Sequence, residues 1–276
     1  MAAIGIVGHG YVGKAVEFGF KPKNEISVYD KYLPSLDLPE VVEKSEFIFI
    51  CVPTPMDKKY EKIDLSIVED VVRSIVSLAR KKKQSPVIVI KSTVVPGTTR
   101  TLSKKYSWPK MLFNPEFLTE DNYLFDFVNA DRIVVGGDIG EVRQKLVDLY
   151  RESFTETTIF QTDPTTAEMV KYMANTFLAT KVIFANEMFE LCQRFGIKYE
   201  EVKKMVAADD RIVDSHFDVT TQRGFGGKCF PKDMVALLGL ARKLKVPMEL
   251  LEAVWKKNLK IRKVRDWEQI PGAVSK

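Results

Sequence analysis

The stretch Ala3-Ile4-Gly5-Ile6-Val7-Gly8-His9-Gly10-Tyr11-Val12-Gly13 decides the fold of this chain. Its first five residues are small or β-branched and apolar, the pattern of a strand buried on both faces. A G-x-G-x-x-G sequence follows at once, and helical periodicity begins behind it. Between a strand end and a helix start, each glycine has a task. Gly8 permits the tight turn, Gly10 lets a pyrophosphate come close to the backbone, and Gly13 lets the helix lie against the strand. The phosphates would rest on the helix N-terminus, where N–H groups and the dipole favour anions. His9, inside the loop, either touches phosphate or is simply exposed. A second apolar run, 26–30, ends in Asp30, about the ~20-residue distance at which a carboxylate takes the ribose hydroxyls. That charge repels a 2′-phosphate, so the spacing selects NAD over NADP.

Outward from this loop the first half alternates short apolar runs with helical patterns. Residues 3–8, 26–30, 47–53 and 87–93 read as buried strands, and 132–136 and 158–161 as two more. Helices are expected over 65–83, where Ile67, Val68, Val71, Val72, Ile75 and Leu78 repeat at three and four, and over 141–154. Such alternation gives an α/β fold with a Rossmann-like, doubly wound parallel sheet over 1–162. From 163 to 276 the pattern is all-helical. Thr165 caps a long helix with Glu168 three residues on, and the helix runs to Phe195 before Gly196. Further helices are expected over 199–208, 232–244 and 247–267, the last with Pro247 in its first turn.

The chain has 276 residues, 45% hydrophobic and 29% charged, with 15 Gly and 13 Pro, so low-complexity and collagen-like classes are excluded. No apolar run reaches the ~18 residues of a membrane span, and no signal peptide opens the sequence. Three unevenly spaced cysteines make no disulfide framework, which points to a reducing cytoplasm. The net charge is +5. Lys256, Lys257, Lys260, Arg262, Lys263 and Arg265 stand together without an acid, and this run reads as a solvated helix face rather than a nucleic-acid site.

Residues 224–233, Gly-Phe-Gly-Gly-Lys-Cys-Phe-Pro-Lys-Asp, form the other informative stretch. Cys51 and Cys192 lie in apolar surroundings and read as packing. Cys229 follows a glycine run, lies between Lys228 and Lys232, and just precedes a helix. Cationic neighbours and a helix N-terminus raise the thiolate fraction. This is not a phosphate loop, because Gln222 and Cys229 occupy the positions that need Gly and Ser or Thr. No second Cys or His stands at metal-ligand spacing, so no metal is expected. A dinucleotide fold with an activated thiol suggests an alcohol oxidised twice. The thiolate traps the aldehyde as a thiohemiacetal, a second hydride leaves to give a thioester, and water releases an acid.

These motifs resemble the UDP-glucose/GDP-mannose dehydrogenase family. The resemblance rests on Gly8–Gly13, Cys51-Val52-Pro53-Thr54-Pro55, Lys91-Ser92-Thr93-Val94, Asn114-Pro115-Glu116-Phe117-Leu118 followed by Glu120, Lys171 with Asn175, Asp210-Arg211-Ile212, and 225–233, all in order. It implies that Cys229 is the nucleophile and that Lys171 and Asn175, one turn apart, stabilise an oxyanion. It makes Glu116 an acid/base in thioester hydrolysis, and Thr93 and Asp233 residues that position water. Val52, Pro53, Thr54, Pro55, Ser92, Thr93 and Glu120 join the glycine loop and Asp30 in holding NAD. Glu116, Phe117, Leu118, Lys171, Asn175, Arg211, Phe225 and Gly226 face a nucleotide-sugar substrate, with Arg211 reaching a neighbouring subunit's site. It also implies a homodimer, here through the apolar stripe Val246, Leu250, Leu251, Val254, Trp255, Leu259 and Ile261 of the last helix.

Two departures qualify the resemblance. Lys228 stands where the family has a small or uncharged residue. The family also continues into a third, Rossmann-like domain that grips the nucleotide, whereas this sequence closes with Trp267, Ile270 and Pro271. Two alternatives therefore stand beside a nucleotide-sugar dehydrogenase. One is a catalytically weak NAD-binding partner of a full-length dehydrogenase, and the other an enzyme acting on a smaller alcohol.

Overall fold

The computed structural model describes residues 1–275. The chain divides into two compact units: 1–54 with 64–171, and 55–63 with the residues from Tyr172 onward.

The first unit is built on a seven-stranded sheet in the order β2-β1-β3-β4-β5-β6-β7. The strands are β1 (Ala3–Val7), β2 (Glu25–Tyr29), β3 (Phe47–Ile50), β4 (Val87–Ile90), β5 (Met111–Phe113), β6 (Arg132–Gly136) and β7 (Thr158–Thr162). Phe-Ile-Phe-Ile of β3 and Val-Ile-Val-Ile of β4 are buried throughout, as central strands covered on both faces must be. Side chains alternate across the sheet. Phe47 and Phe49 face α1 (Tyr11–Phe20), α5 (Tyr123–Val128) and α6 (Gly140–Ser153), in a core with Phe20, Phe127 and Tyr150. Ile48 and Ile50 face α2 (Leu38–Lys44), α3 (Ser66–Lys81) and α4 (Thr98–Lys105), in a core with Val68, Val72 and Ile75.

The sheet is doubly wound and parallel as expected, except at one pair. β1 to β5 are parallel, but β6 meets β5 antiparallel through Phe113 and Gly136, and β7 runs with β6. The cause lies in the connection. A parallel neighbour requires the chain to return along the sheet before β6 starts. The only helix between β5 and β6, α5, has six residues and spans ~9 Å, too short for that return.

α7 (Pro164–Phe195) begins in the first unit and continues into the second. Its N-terminus differs from the expected capping box. Asp163, not Thr165, caps it: the carboxylate accepts the N–H groups of Thr165 at 3.0 Å and Thr166 at 3.2 Å. Pro164 occupies the first helical position, where its missing N–H costs nothing. Glu168 is thereby free for another task, described below.

The second unit holds α8 (Tyr199–Val206), α9 (Cys229–Leu244), α10 (Glu249–Ile261) and a short 3₁₀ turn, Asp266–Glu268. Its segment 55–63 bridges Met56 to Ile63 and to Val274. The last helix is shorter than the expected 247–267. It stops at Arg262, whose guanidinium donates to the carbonyl of Arg223 at 3.1 Å and to Asp266 at 2.9 Å. The chain then turns and buries Trp267 beside Trp255, ring centroids 5.9 Å apart. The basic run finds its acids elsewhere: Lys257 pairs with Glu190 of α7 at 2.9 Å, and Arg262 with Asp266. Among the described residues, no helix is long and apolar enough to cross a membrane.

Candidate active site

The first unit carries the nucleotide-type loop. Gly8 turns the chain at φ 94°, and a side chain there would strike the carbonyl of Cys51. A Cβ on Gly13 would lie 2.1 Å from the Gly8 carbonyl oxygen, so only glycine lets α1 approach β1 this closely. Space above Gly10, the N-cap of α1, is open, as a phosphate would need. Tyr11 and Val12 form the first turn behind it.

Asp30 follows directly on β2 and closes over this loop. Its carboxylate accepts the N–H groups of His9 at 2.7 Å, Tyr32 at 2.8 Å and Leu33 at 3.2 Å. Burial raises its pKa, but these three donors outweigh that and hold it below the usual carboxylate value. The His9 ring turns aside to Glu17, 2.7 Å away. Together the glycines and the ionised carboxylate fit a dinucleotide with free ribose hydroxyls.

The ends of β3 and β4 are tied beside it. Ser92 donates its hydroxyl to the carbonyls of Val52 at 2.7 Å and Ile50 at 3.2 Å. Thr54, Ser92 and Thr93 are buried, whereas Val52 and Pro53 are less enclosed. Cys51 lies against Lys91 and Glu116, and burial pushes its thiol up to about 12, so it is an inert packing residue.

Glu116 and Lys171 form a buried ion pair at 2.9 Å, their side chains 5% and 3% exposed. Lys171 also donates to the Glu116 carbonyl at 2.7 Å, and Glu116 accepts the N–H of Leu118 at 2.8 Å. The Phe117 ring lies between cations, with Arg132 at 4.2 Å and Lys171 at 5.6 Å. Beside these residues is a cavity of about 200 Å³, lined by Lys91, Asn114, Glu116, Phe117, Arg132 and Tyr150 among others. Glu120 is exposed on the loop that follows.

Glu168 clasps this region from α7. Fully buried, it accepts the N–H of Gly97 at 2.5 Å, the N–H of Thr99 at 2.8 Å and the Thr99 hydroxyl at 2.6 Å. It therefore caps α4 across space, where the helix dipole favours an anion. Burial nevertheless pushes its carboxyl up to about 7, against the pull of those donors and of Arg100.

In the second unit Cys229 is the first residue of α9, half-buried, where the expected helix began three residues later. Asp233, one turn on and fully buried, accepts the Asn175 amide at 2.6 Å and pairs with Lys232. Lys171 and Asn175 are one turn apart on α7. The glycine run before Cys229 is fastened by polar side chains from three segments. Asn258 of α10 accepts the Phe225 N–H at 2.8 Å and donates to its carbonyl at 3.0 Å. Asn186 of α7 accepts the Gly224 N–H, and Asp266 the Gly227 N–H. Phe225 buries its ring against Trp255, and Gly226 lies under Arg262 and Asp266. Arg211 is exposed and paired with Asp209 at 2.6 Å.

Asn186, Asn258, Asp266, Lys232 and Glu168 were not singled out as site residues by the sequence. Asparagines and an aspartate within helical or turn patterns announce nothing about which distant backbone they hold. A buried lysine next to Asp233 carries a local signal, but charged neighbours in sequence are usually solvated.

Residues 24–154 match the UDP-glucose/GDP-mannose dehydrogenase family's NAD binding domain, and 165–260 match its central domain. The chain is 38% identical over 223 residues to the UDP-glucose 6-dehydrogenase of Rickettsia felis, covering 79% of this chain and 48% of that protein. It is 36% identical over 234 residues to the UDP-glucose 6-dehydrogenase TuaD of Bacillus subtilis, covering 82% and 49%. It thus spans about half the length of the curated relatives it matches. The solved UDP-glucose dehydrogenase of Pyrobaculum islandicum superposes with a TM-score of 0.87 at 31% identity, over 94% of this chain and 68% of that one. With a glycine loop closed by Asp30 in one unit, and Cys229 heading a helix one turn before Asp233 in the other, the chain belongs to the UDP-glucose/GDP-mannose dehydrogenase family.

Proposed function

We propose that the chain is an NAD-dependent dehydrogenase that oxidises the primary alcohol of a nucleotide sugar to an acid, in two hydride steps, through a thioester on Cys229. The observation that carries this is the position of Cys229, first in α9 and one turn before the buried Asp233–Asn175 pair. A helix N-terminus favours the thiolate, the form that attacks a carbonyl. NAD, when bound by the Gly8–Gly13 loop and Asp30, accepts the hydrides. The Cys229 sulfur adds to the aldehyde carbon, and the carbonyl oxygen becomes an oxyanion. An ammonium and an amide, Lys171 and Asn175, suit its stabilisation. Loss of the second hydride and a proton leaves the thioester. Glu116 takes a proton from the water that attacks it, and Thr93 and Asp233 orient that water. The acid departs and the thiol returns.

The test is Cys229→Ala. Acid formation from UDP-glucose should vanish while calorimetry shows NAD affinity close to wild type. Undiminished acid formation would refute the role of Cys229.

We also propose a cytoplasmic location, which the three free cysteines support. A homodimer belongs to the same proposal, with only part of the stripe expected on the last helix open to it. Val254 and Trp255 are buried within their own chain, whereas Val246 and Leu250 are exposed. α7 also exposes Met169, Met173, Phe177, Phe184, Leu191 and Phe195, a stripe down one side of 32 residues. An apolar patch of that extent marks an interface, and a two-fold pair is the commonest way to cover it.

A further inference from the structure

Lys91 follows β4 as a buried cation to which the proposed reaction gives no task. Its ammonium donates to Asn114 Oδ1 at 2.7 Å and to the Pro115 carbonyl at 3.3 Å. The Tyr150 hydroxyl donates to the same Oδ1 at 2.5 Å, and Asn114 Nδ2 donates to the Val134 carbonyl of β6 at 2.8 Å. The turn after β5 is therefore fastened from β4, β6 and α6 at once. The next residue in that turn is Glu116, which meets Lys171 and the Leu118 N–H.

Neutral groups could have tied this turn without the cost of burying an ammonium, which is several kcal/mol before compensation. The charge needs a reason. The titratable groups facing Lys91 are Cys51, Glu116, Lys171 and Tyr150. Burial holds the thiol and the phenol of that set in their neutral forms. This leaves one carboxylate, Glu116, flanked by two ammonium groups.

We infer that Lys91 is a positioning residue of the active site: through Asn114 Oδ1 and the Pro115 carbonyl it sets the peptide that presents Glu116 to Lys171, and it sets a second positive charge against that carboxylate. The inference rests on the reading of Glu116 and Lys171 as reacting groups. Burial pushes the Lys91 ammonium down to about 8, with Lys171 adding to that effect and Cys51 and Glu116 opposing it. Its charge is therefore lost within a range open to experiment, and the Glu116 site changes with it.

The experiment follows the Leu118 amide, the donor to Glu116, by ¹H–¹⁵N NMR in the wild type, Lys91→Met and Lys91→Gln. NAD affinity and the kcat and KM for NADH formation from UDP-glucose are measured beside it. In Lys91→Met the Leu118 amide should lose its carboxylate-bonded shift. kcat should fall about 100-fold, the scale of a misplaced catalytic group, with NAD affinity unchanged. Lys91→Gln gives Asn114 a donor without a charge, so it should restore the amide in part. In the wild type the amide and kcat should share one transition near pH 8, absent from both variants. Should Lys91→Met fail to fold, the wild-type titration and Lys91→Gln decide. A Leu118 amide unmoved in folded Lys91→Met, or flat in the wild type between about pH 7 and 9, would overturn the inference. An amide that responds in a protein forming no NADH would refute the dehydrogenase reading while upholding the Lys91 geometry.

Discussion

Single carboxylates in this protein are set by the balance between burial and the donors around them. Asp30 is held ionised by three backbone N–H groups, and that charge should exclude a 2′-phosphate. Asp30→Ala should narrow the preference for NAD over NADP by about tenfold or more, an interaction of ~1.4 kcal/mol. Calorimetric titration with both cofactors checks it, and equal wild-type affinities would contradict it. Glu168 behaves oppositely. Its carboxyl is raised from 4.5 to about 7, so the folded state binds the proton more tightly than the unfolded chain. Its contribution to stability is full below about pH 4.5 and is lost as pH rises through 7, a change of about 3 kcal/mol. Glu168→Gln should flatten the pH dependence of thermal stability over that window, whatever its effect on the absolute level. An unchanged slope would show that Glu168 is not the group titrating. Asp30 was legible because its distance from the glycine loop is a property of the chain. Glu168 was misread as half of a capping box because its partners, Gly97 and Thr99, are distant in sequence.

Elements were legible where burial is written locally. Phe-Ile-Phe-Ile and Val-Ile-Val-Ile can only be strands covered on both faces, and α3 shows its apolar stripe openly. β5 was missed because it has three residues between Pro109 and Pro115. α4 was missed because Thr-Thr-Arg-Thr-Leu-Ser-Lys-Lys has little periodicity and takes its cap from Glu168. α10 was drawn too long because its apolar and basic pattern continues past Ile261, while the bonds that stop it run from Arg262 to Arg223 and Asp266. The glycine run before Cys229 depends on such distant bonds too. Asn258, fully buried, satisfies both the N–H and the carbonyl of Phe225. Asn258→Ala should leave both unpaired and cost about 3 kcal/mol. Urea unfolding measures this, and Asn258→Asp, which keeps the acceptor, should recover part of the loss. A loss within about 0.5 kcal/mol of zero would mean that the run is held otherwise.

At the scale of the whole molecule, the exposed stripe on α7 and the thiol chemistry are the two claims that reach beyond one chain and one element. Phe177→Glu with Phe184→Glu places charges in the middle of the stripe, where the side chains are 64% and 52% exposed. Exposed positions tolerate this in a monomer, so folding should survive while sedimentation shows a halved mass. A wild type already monomeric at assay concentration would remove the interface. The doubly wound sheet, the helical second half and the family were all readable from the sequence. The burial of Val254 and Trp255 was not, because it depends on the turn back to Trp267. The central claim is that one thiol carries a sugar carbon through two oxidations, and the most direct measurement is a count of NADH formed per acid released from UDP-glucose by the wild-type chain. The account predicts two NADH per uronate, with no free aldehyde accumulating and no acid from Cys229→Ala. One NADH per product, with the aldehyde as the end point, would contradict it.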